Sequence, residues 1–203
     1  MAIPSEKAVA AVLNSGFYEA FSPITTERLV IRKLGIGDAE DIYAVSRNPA
    51  VSRYVLWETH RSIADSRSMI RGVLRSYRAQ EPAALGIVLR ETGHVVGTIG
   101  FLWIDREHNA AEIGYSLAEE QWNRGLMTEA LRAMLRFGFE TLHLNRIEAQ
   151  FDVRNAASGR VMSKAGMKKE GVLRQRLYNK GKFVDVALYA ILRGDPRPMK
   201  GKY

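Results

Sequence analysis

The sequence predicts an α+β domain with a mixed sheet. Three observations lead there. Stretches that alternate apolar and polar side chains interleave with stretches whose apolar residues recur at helical spacing, in the order β-α-α-β-β-β-α-β-α-β-β. The 203 residues are 46% hydrophobic and 26% charged, enough apolar content for a sizeable core and unlike a disordered chain. No internal repeat, low-complexity tract or Pro/Gly/Ser-rich linker divides residues 24 to 193. The expected organisation is an N-terminal helical arm over residues 1–22, a single domain over 23–193 and a tail over 194–203.

Taken in order, the arm is expected to begin at Ser5, with Val9, Val12 and Leu13 on one helix face. Thr26 to Leu34 alternates as a strand does, and Asp38 stands where a helix N-cap belongs, ahead of a short helix from Ala39 to Arg47 stopped at Pro49. Ile63, Ile70, Val73 and Leu74 mark a second helix over Ser62 to Ala79, and Pro82 ends that region. Ala83 to Arg90 and His94 to Ile104 read as a hairpin turning at Glu91, Thr92 and Gly93. A third strand, Ala110 to Leu117, follows a polar loop. From Leu126, residues Met127, Ala130, Leu131, Met134 and Leu135 trace an amphipathic helix reaching about Glu140. Arg146 to Val153 is a strand, and Ala156 to Lys164 a helix stopped by Gly166. Gly171 to Tyr178 and Phe183 to Leu192 close the chain as a pair turning at Lys180-Gly181.

Composition excludes several chemistries. With no cysteine there is no disulfide, thiolate zinc site, iron–sulfur ligation or cysteine nucleophile, and a reducing cytoplasm is the expected location. The longest nearly unbroken apolar run, Ala83 to Leu89, is far short of the roughly 20 residues that span a bilayer. Met1 to Tyr18 does not look like a secretory signal. His60, His94, His108 and His143 are isolated, and no metal site is expected. The net charge of +8 is uneven: nine basic residues between Arg154 and Lys182 face one acid, Glu170. Such a stretch can attract a phosphorylated cofactor, RNA or an acidic protein, or simply be a solvated surface.

The most informative segment is Glu119 to Ala130, where a strand ends, a polar loop passes through Asn123 and Gly125, and a long helix starts. Free backbone N–H groups and the positive end of the helix dipole at such a start suit a phosphate or pyrophosphate. A structural cap is the simpler reading of the same residues. Likewise Asn155 reads first as an N-cap. Phosphate-loop, dinucleotide-fingerprint, zinc-protease and nucleophile-elbow motifs are absent from the sequence.

The run Ala111-Glu112-Ile113-Gly114-Tyr115 to Gln121-Trp122-Asn123-Arg124-Gly125-Leu126-Met127-Thr128-Glu129-Ala130, with Asn155-Ala156-Ala157-Ser158 and Lys164-Ala165-Gly166-Met167, closely resembles the GNAT superfamily of N-acetyltransferases. The branch it resembles most contains the bacterial ribosomal-protein-alanine N-acetyltransferases. The opening Thr25 to Arg32 and the closing Asn179 to Tyr189 also look like that branch, so the resemblance covers about residues 24 to 192. It implies a mostly antiparallel sheet of about seven strands flanked by helices, with acetyl-CoA as donor and a primary amine as acceptor. The implied acceptor is a protein N-terminal α-amine, with a small amine such as a polyamine, amino sugar or amino acid as the alternative. A ribosome contact, or a non-catalytic RNA-binding role, is the more distant reading.

The resemblance also implies site residues. The strand Ala110 to Leu117 should carry a bulge and splay from Arg146 to Val153, with pantetheine in the gap near Tyr115, Ser116 and Leu117. The loop Trp122, Asn123, Arg124, Gly125, Leu126, Met127 and Thr128 should hold the pyrophosphate. Asn123 stands where the family has its first glycine, and Glu120 where it has Gln or Arg; Asn tolerates positive φ better than most residues. Asn155 and Ser158 match an Asn-x-x-Ser pattern, Asn155 implied to hold the cofactor and Ser158 to protonate the departing thiolate, with Tyr115 as the alternative acid. Glu112 is the candidate base, or else an edge-strand carboxylate paired with an arginine. The glutamate some relatives carry at the position of Leu177 is missing here. Trp57, Trp103 and Trp122 are expected to pack, and Trp57 could also line an acceptor pocket.

Overall fold

The computed structural model describes Tyr18 and residues 21–196; the helix expected from Ser5 and the end of the expected tail lie outside them. The described chain runs β1 (Ile24–Thr25), β2 (Leu29–Arg32), α1 (Ala39–Ser46), α2 (Pro49–Ser52), α3 (Ile63–Ala79), β3 (Leu85–Leu89), β4 (Val95–Asp105), β5 (Ala110–Leu117), α4 (Leu126–Glu140), β6 (Arg146–Asp152), α5 (Ala156–Ala165), β7 (Lys168–Asn179) and β8 (Lys182–Leu192). One sheet holds the strands in the order β1-β2-β3-β4-β5-β6-β8-β7. Every neighbouring pair is antiparallel except β5 and β6.

The strand count is eight, not seven. The additional strand, β1, has two residues, pairing Ile24 with Ile31 and Thr25 with Val30, too short for alternation to show. The first long strand shrinks to Leu29–Arg32 because the Thr26 hydroxyl and the Leu29 backbone close a turn ahead of it. Pro49 opens a helix as well as ending one: Asn48 caps it by accepting from the Ala50 amide at 2.9 Å, and proline is favoured at a first helical position. Asp38 does precede α1, but its carboxylate takes the Arg32 guanidinium and the Gly35 amide rather than the helix. The last hairpin begins at Lys168, three residues before the expected Gly171.

Helices cover both faces. Leu29, Ile31, Leu85, Ile87, Ile99, Phe101, Ala111 and Ile113 face α4 and α5 in the main core, where Leu126, Ala130, Leu131 and Met134 are almost fully buried. The helical spacing read from the sequence is therefore the core face of α4. Gly138 lets that helix approach the sheet, since a Cβ there would lie 2.6 Å from Ile147 Cδ1. On the opposite face, Leu34, Ile42, Ile70, Val88 and Val95 pack α1 and α3 against the sheet. Tyr18 and Phe21, from the segment assigned to the arm, are buried in the main core. The Tyr18 hydroxyl donates to the Ala83 carbonyl and accepts from the Ala83 amide, and Phe21 meets Phe137 edge-on at 5.5 Å.

Candidate active site

The parallel pairing of β5 with β6 covers only Ala110–Arg146, Ala111–Ile147 and Glu112–Glu148. Beyond Glu112 the two strands separate, and both of the helices that follow, α4 and α5, begin at the open end. Ligands of α/β sheets bind in such a crevice at the carboxyl ends of strands where the order switches. The bulge expected on β5 lies instead on its neighbour. Phe101 pairs with Ile113 and Trp103 with Glu112, so the extra residue is Leu102 of β4. Since β5 keeps its alternation, Glu112 and Ser116 face the α1/α3 side while Ile113 and Tyr115 face the α4/α5 side.

At the start of α4, Trp122 ends a single 3-10 turn, Asn123 has φ of 60° and Gly125 φ of 78°. Asn123 thus adopts the left-handed conformation that glycine would otherwise supply. The first intrahelical bond runs from the Glu129 amide to the Gly125 carbonyl at 3.1 Å. The amides from Asn123 to Thr128 find no acceptor among the described residues, which leaves an anion-ready set of donors. The Trp122 indole N–H donates to the Leu117 carbonyl at 2.8 Å, so that one carbonyl of the expected pantetheine set is already engaged.

A clamp that sequence reading missed fixes this loop. The Arg28 guanidinium donates to the Arg124 carbonyl at 2.9 Å and pairs with Glu129 at 2.7 Å; Glu129 also accepts from the Arg28 amide and the Thr26 hydroxyl. Burial alone would raise the Glu129 carboxyl, yet the Thr26 and Arg28 hydrogen bonds outweigh it and hold the group below its usual range. An arginine and a glutamate 101 residues apart carry no local signal.

Glu112 is buried, 7% exposed, and its Oε2 accepts from Trp103 Nε1 at 2.7 Å. Its partner is therefore a tryptophan rather than an arginine, and Trp103, expected to pack, is 37% exposed and orients Glu112 instead. No described residue bonds Oε1. Asn155 caps α5 by accepting from the Ser158 amide, and its Nδ2 donates to Ser158 Oγ at 3.1 Å. The Tyr115 hydroxyl donates to the Ser158 carbonyl at 3.3 Å, across the gap between β5 and α5. Burial pushes the phenol up, so it stays protonated at neutral pH. Tyr115 and Ser158 thus stand together on one side of the sheet, and Glu112 on the other. Trp57 packs with Val45, Val51 and Ala118 at the end of β5. Among the described residues no cluster of three His, Asp or Glu could hold a metal ion, and no helix is long and apolar enough to cross a membrane.

Residues 28–168 match the family model described as an acetyltransferase (GNAT) domain. The chain belongs to the GNAT acetyltransferases. This GNAT chain is 38% identical to the uncharacterized N-acetyltransferase YoaA of Bacillus subtilis, over 85% of this chain and 98% of that one. It is 28% identical to the [ribosomal protein uS5]-alanine N-acetyltransferase of Escherichia coli, over 86% and 93% of the two chains. An acetyltransferase of the GNAT family from Bacillus anthracis superposes with a TM-score of 0.77 at 29% identity, covering 86% of this chain and all of the other. The protein is an acetyl-CoA-dependent N-acetyltransferase. The strand gap and the unpartnered amides of the α4 start fit that donor: an extended arm can enter the one and a pyrophosphate can lie on the other.

Proposed function

We propose that the acceptor is the N-terminal α-amine of a protein, as in the Escherichia coli ribosomal-protein-alanine enzyme to which the chain is similar. The observation that supports amine transfer at this place is the buried Glu112, held by Trp103 with Oε1 uncommitted, beside the opening of the β5–β6 gap. Acetyl-CoA, when bound, supplies a thioester acetyl group whose sulfur leaves as a thiolate. Asn123 to Thr128 hold the pyrophosphate with their amides, and the free edge of β5 past Glu112, at Tyr115 and Ser116, lines the pantetheine. Glu112 Oε1 removes a proton from the acceptor amine, directly or through a water. Ser158 Oγ, which accepts from Asn155 and so keeps its own proton available, donates toward the sulfur. Tyr115 positions Ser158 and is the alternative proton donor.

One uncommitted carboxylate suits an α-amine, since Glu148, beside Glu112 on β6, is taken by Arg146 at 2.8 Å. With a pKa of about 7.7 to 8.0, an α-amine at pH 7 needs on the order of 1 kcal/mol to expose its lone pair, whereas a lysine at about 10.4 needs some 4.6 kcal/mol. A CoA-release assay across unacetylated peptides, polyamines, amino sugars and amino acids tests the reading. Turnover of peptides with a free N-terminus is the expected result; turnover of polyamines or amino sugars alone would replace it with the small-molecule alternative.

The ribosome contact is part of the same proposal, and the arrangement of charge narrows it. Arg154 pairs with Asp152, Lys168 with Asp195 and Glu170 with Arg146. What remains exposed along β7 includes Arg174 and Arg176. Co-sedimentation with ribosomes that weakens steeply with salt would support a contact with RNA phosphates; none at low salt would remove it.

A further inference from the structure

A cavity of about 380 Å³ is lined by Arg53, Tyr54, Arg154, Asn179, Lys180 and Lys182. It sits where three loops meet: the end of α2, the turn joining β6 to α5, and the turn joining β7 to β8. The Lys180 ammonium donates to the Ser52 carbonyl, bringing the last of these loops to the first. Asn48 donates to Glu119 at 2.6 Å, tying the start of α2 to the end of β5. Arg154 is the residue before Asn155, the cap that contacts Ser158. The cavity therefore lies at the mouth of the β5–β6 gap, near the proposed proton donor.

Its charge is unusual for a structural pocket. Four of the six lining residues are cationic and none is acidic. Two of the cations are spent: Arg154 on Asp152, Lys180 on the Ser52 carbonyl. Arg53 and Lys182 have no ion-pair partner among the described residues. Both are exposed and so available to an arriving anion, Lys182 sharing the field of Asp152 with Arg154. Asn179 is 5% exposed and its Oδ1 has no hydrogen-bond partner, a group that buried sites rarely leave unsatisfied. A ligand with an oxyanion for the cations fits this lining, whereas the Asn179 Oδ1, closed off from solvent, is not reached from the cavity. The volume suits a small group or one to two residues of a peptide.

We infer that this cavity is an acceptor subsite that binds a carboxylate or phosphate carried close to the amine that is acetylated. The inference rests on the proposed N-acetyl transfer and adds a selectivity: acidic acceptors are preferred over neutral ones. A peptide would place an aspartate or glutamate side chain there, and a small amine its own acid group.

The test compares alanyl-aspartyl-alanine amide with its asparaginyl counterpart, and adds free aspartate and O-phosphoserine, using the full chain and acetyl-CoA. The aspartyl peptide should be favoured about tenfold in kcat/KM. Arg53→Ala and Lys182→Ala should each erase most of that preference through KM, with kcat and the rate on the asparaginyl peptide unchanged. Acetylation of the small acids but of neither peptide would keep the subsite and overturn the protein acceptor. Equal rates on both peptides would overturn the subsite and keep the protein acceptor. A rise in KM for acetyl-CoA in the two variants would assign the cavity to the donor and also overturn the inference. If none of these amines turns over, thermal shift decides: stabilisation by the aspartyl peptide that is absent in the variants supports the subsite, and its absence in the parent contradicts it.

Discussion

At the residue scale the decisive groups are those whose surroundings were set by distant parts of the chain. Glu112 owes its orientation to Trp103, opposite it across the β4–β5 ladder. Glu112→Gln keeps that hydrogen bond but cannot take a proton, so its rate should be depressed at pH 7 and recover as pH rises and the amine deprotonates itself. A deficit that stays constant with pH would assign Glu112 to positioning. Glu129 gives a different pH signature. Its carboxyl is held low in the folded protein, so its contribution is present above the unfolded carboxyl value of about 4.3 and disappears as pH falls through the folded value. Glu129→Ala leaves the Arg28 amide without its acceptor, while the Thr26 hydroxyl keeps the Leu29 carbonyl, and should cost about 1–3 kcal/mol at neutral pH. Denaturant titrations should show the gap between variant and parent closing in acid.

At the scale of the elements, α4 combines two jobs. Its buried stripe anchors it to the sheet: Leu131 is wholly buried, and Leu131→Ala should lose about 2–5 kcal/mol, read by urea unfolding. Its start presents the free amides. Gly125→Val forces a β-branched residue to φ of 78° and should abolish stabilisation by acetyl-CoA, which in the parent reaches about 2.7 kcal/mol at a hundredfold excess over Kd. A variant with an undiminished thermal shift would place the pyrophosphate elsewhere. Those elements were legible in the sequence because each carries its own signal: the apolar repeat of α4, the Gly166 stop of α5, the Asn155 cap. What escaped depends on partners far away in the chain. The two-residue β1 exists only through pairing with β2, the bulge at Leu102 is defined only by the β4–β5 register, and Glu129 is explained only by Arg28 and Thr26.

For the whole molecule, the sheet separates the work between its faces. Ser158 and Tyr115 stand with α4 and α5, while Glu112 faces the α1/α3 side, so donor and acceptor can meet through the gap between β5 and β6 from opposite directions. The sequence placed Glu112, Tyr115 and Ser158 in one site, and the odd spacing from Glu112 to Tyr115 along a single strand already sets those two on opposite faces. It did not show that Arg53 and Lys182, 129 positions apart, line one cavity. Transfer of acetyl to a peptide α-amine is tested by a competition within one molecule. A peptide bearing both a free N-terminal amine and an internal lysine is incubated with the enzyme and acetyl-CoA, and the acetyl group is located by tandem mass spectrometry. An α-amine acetyltransferase places the acetyl group on the N-terminus; modification of the lysine with the N-terminus untouched would rule that acceptor out.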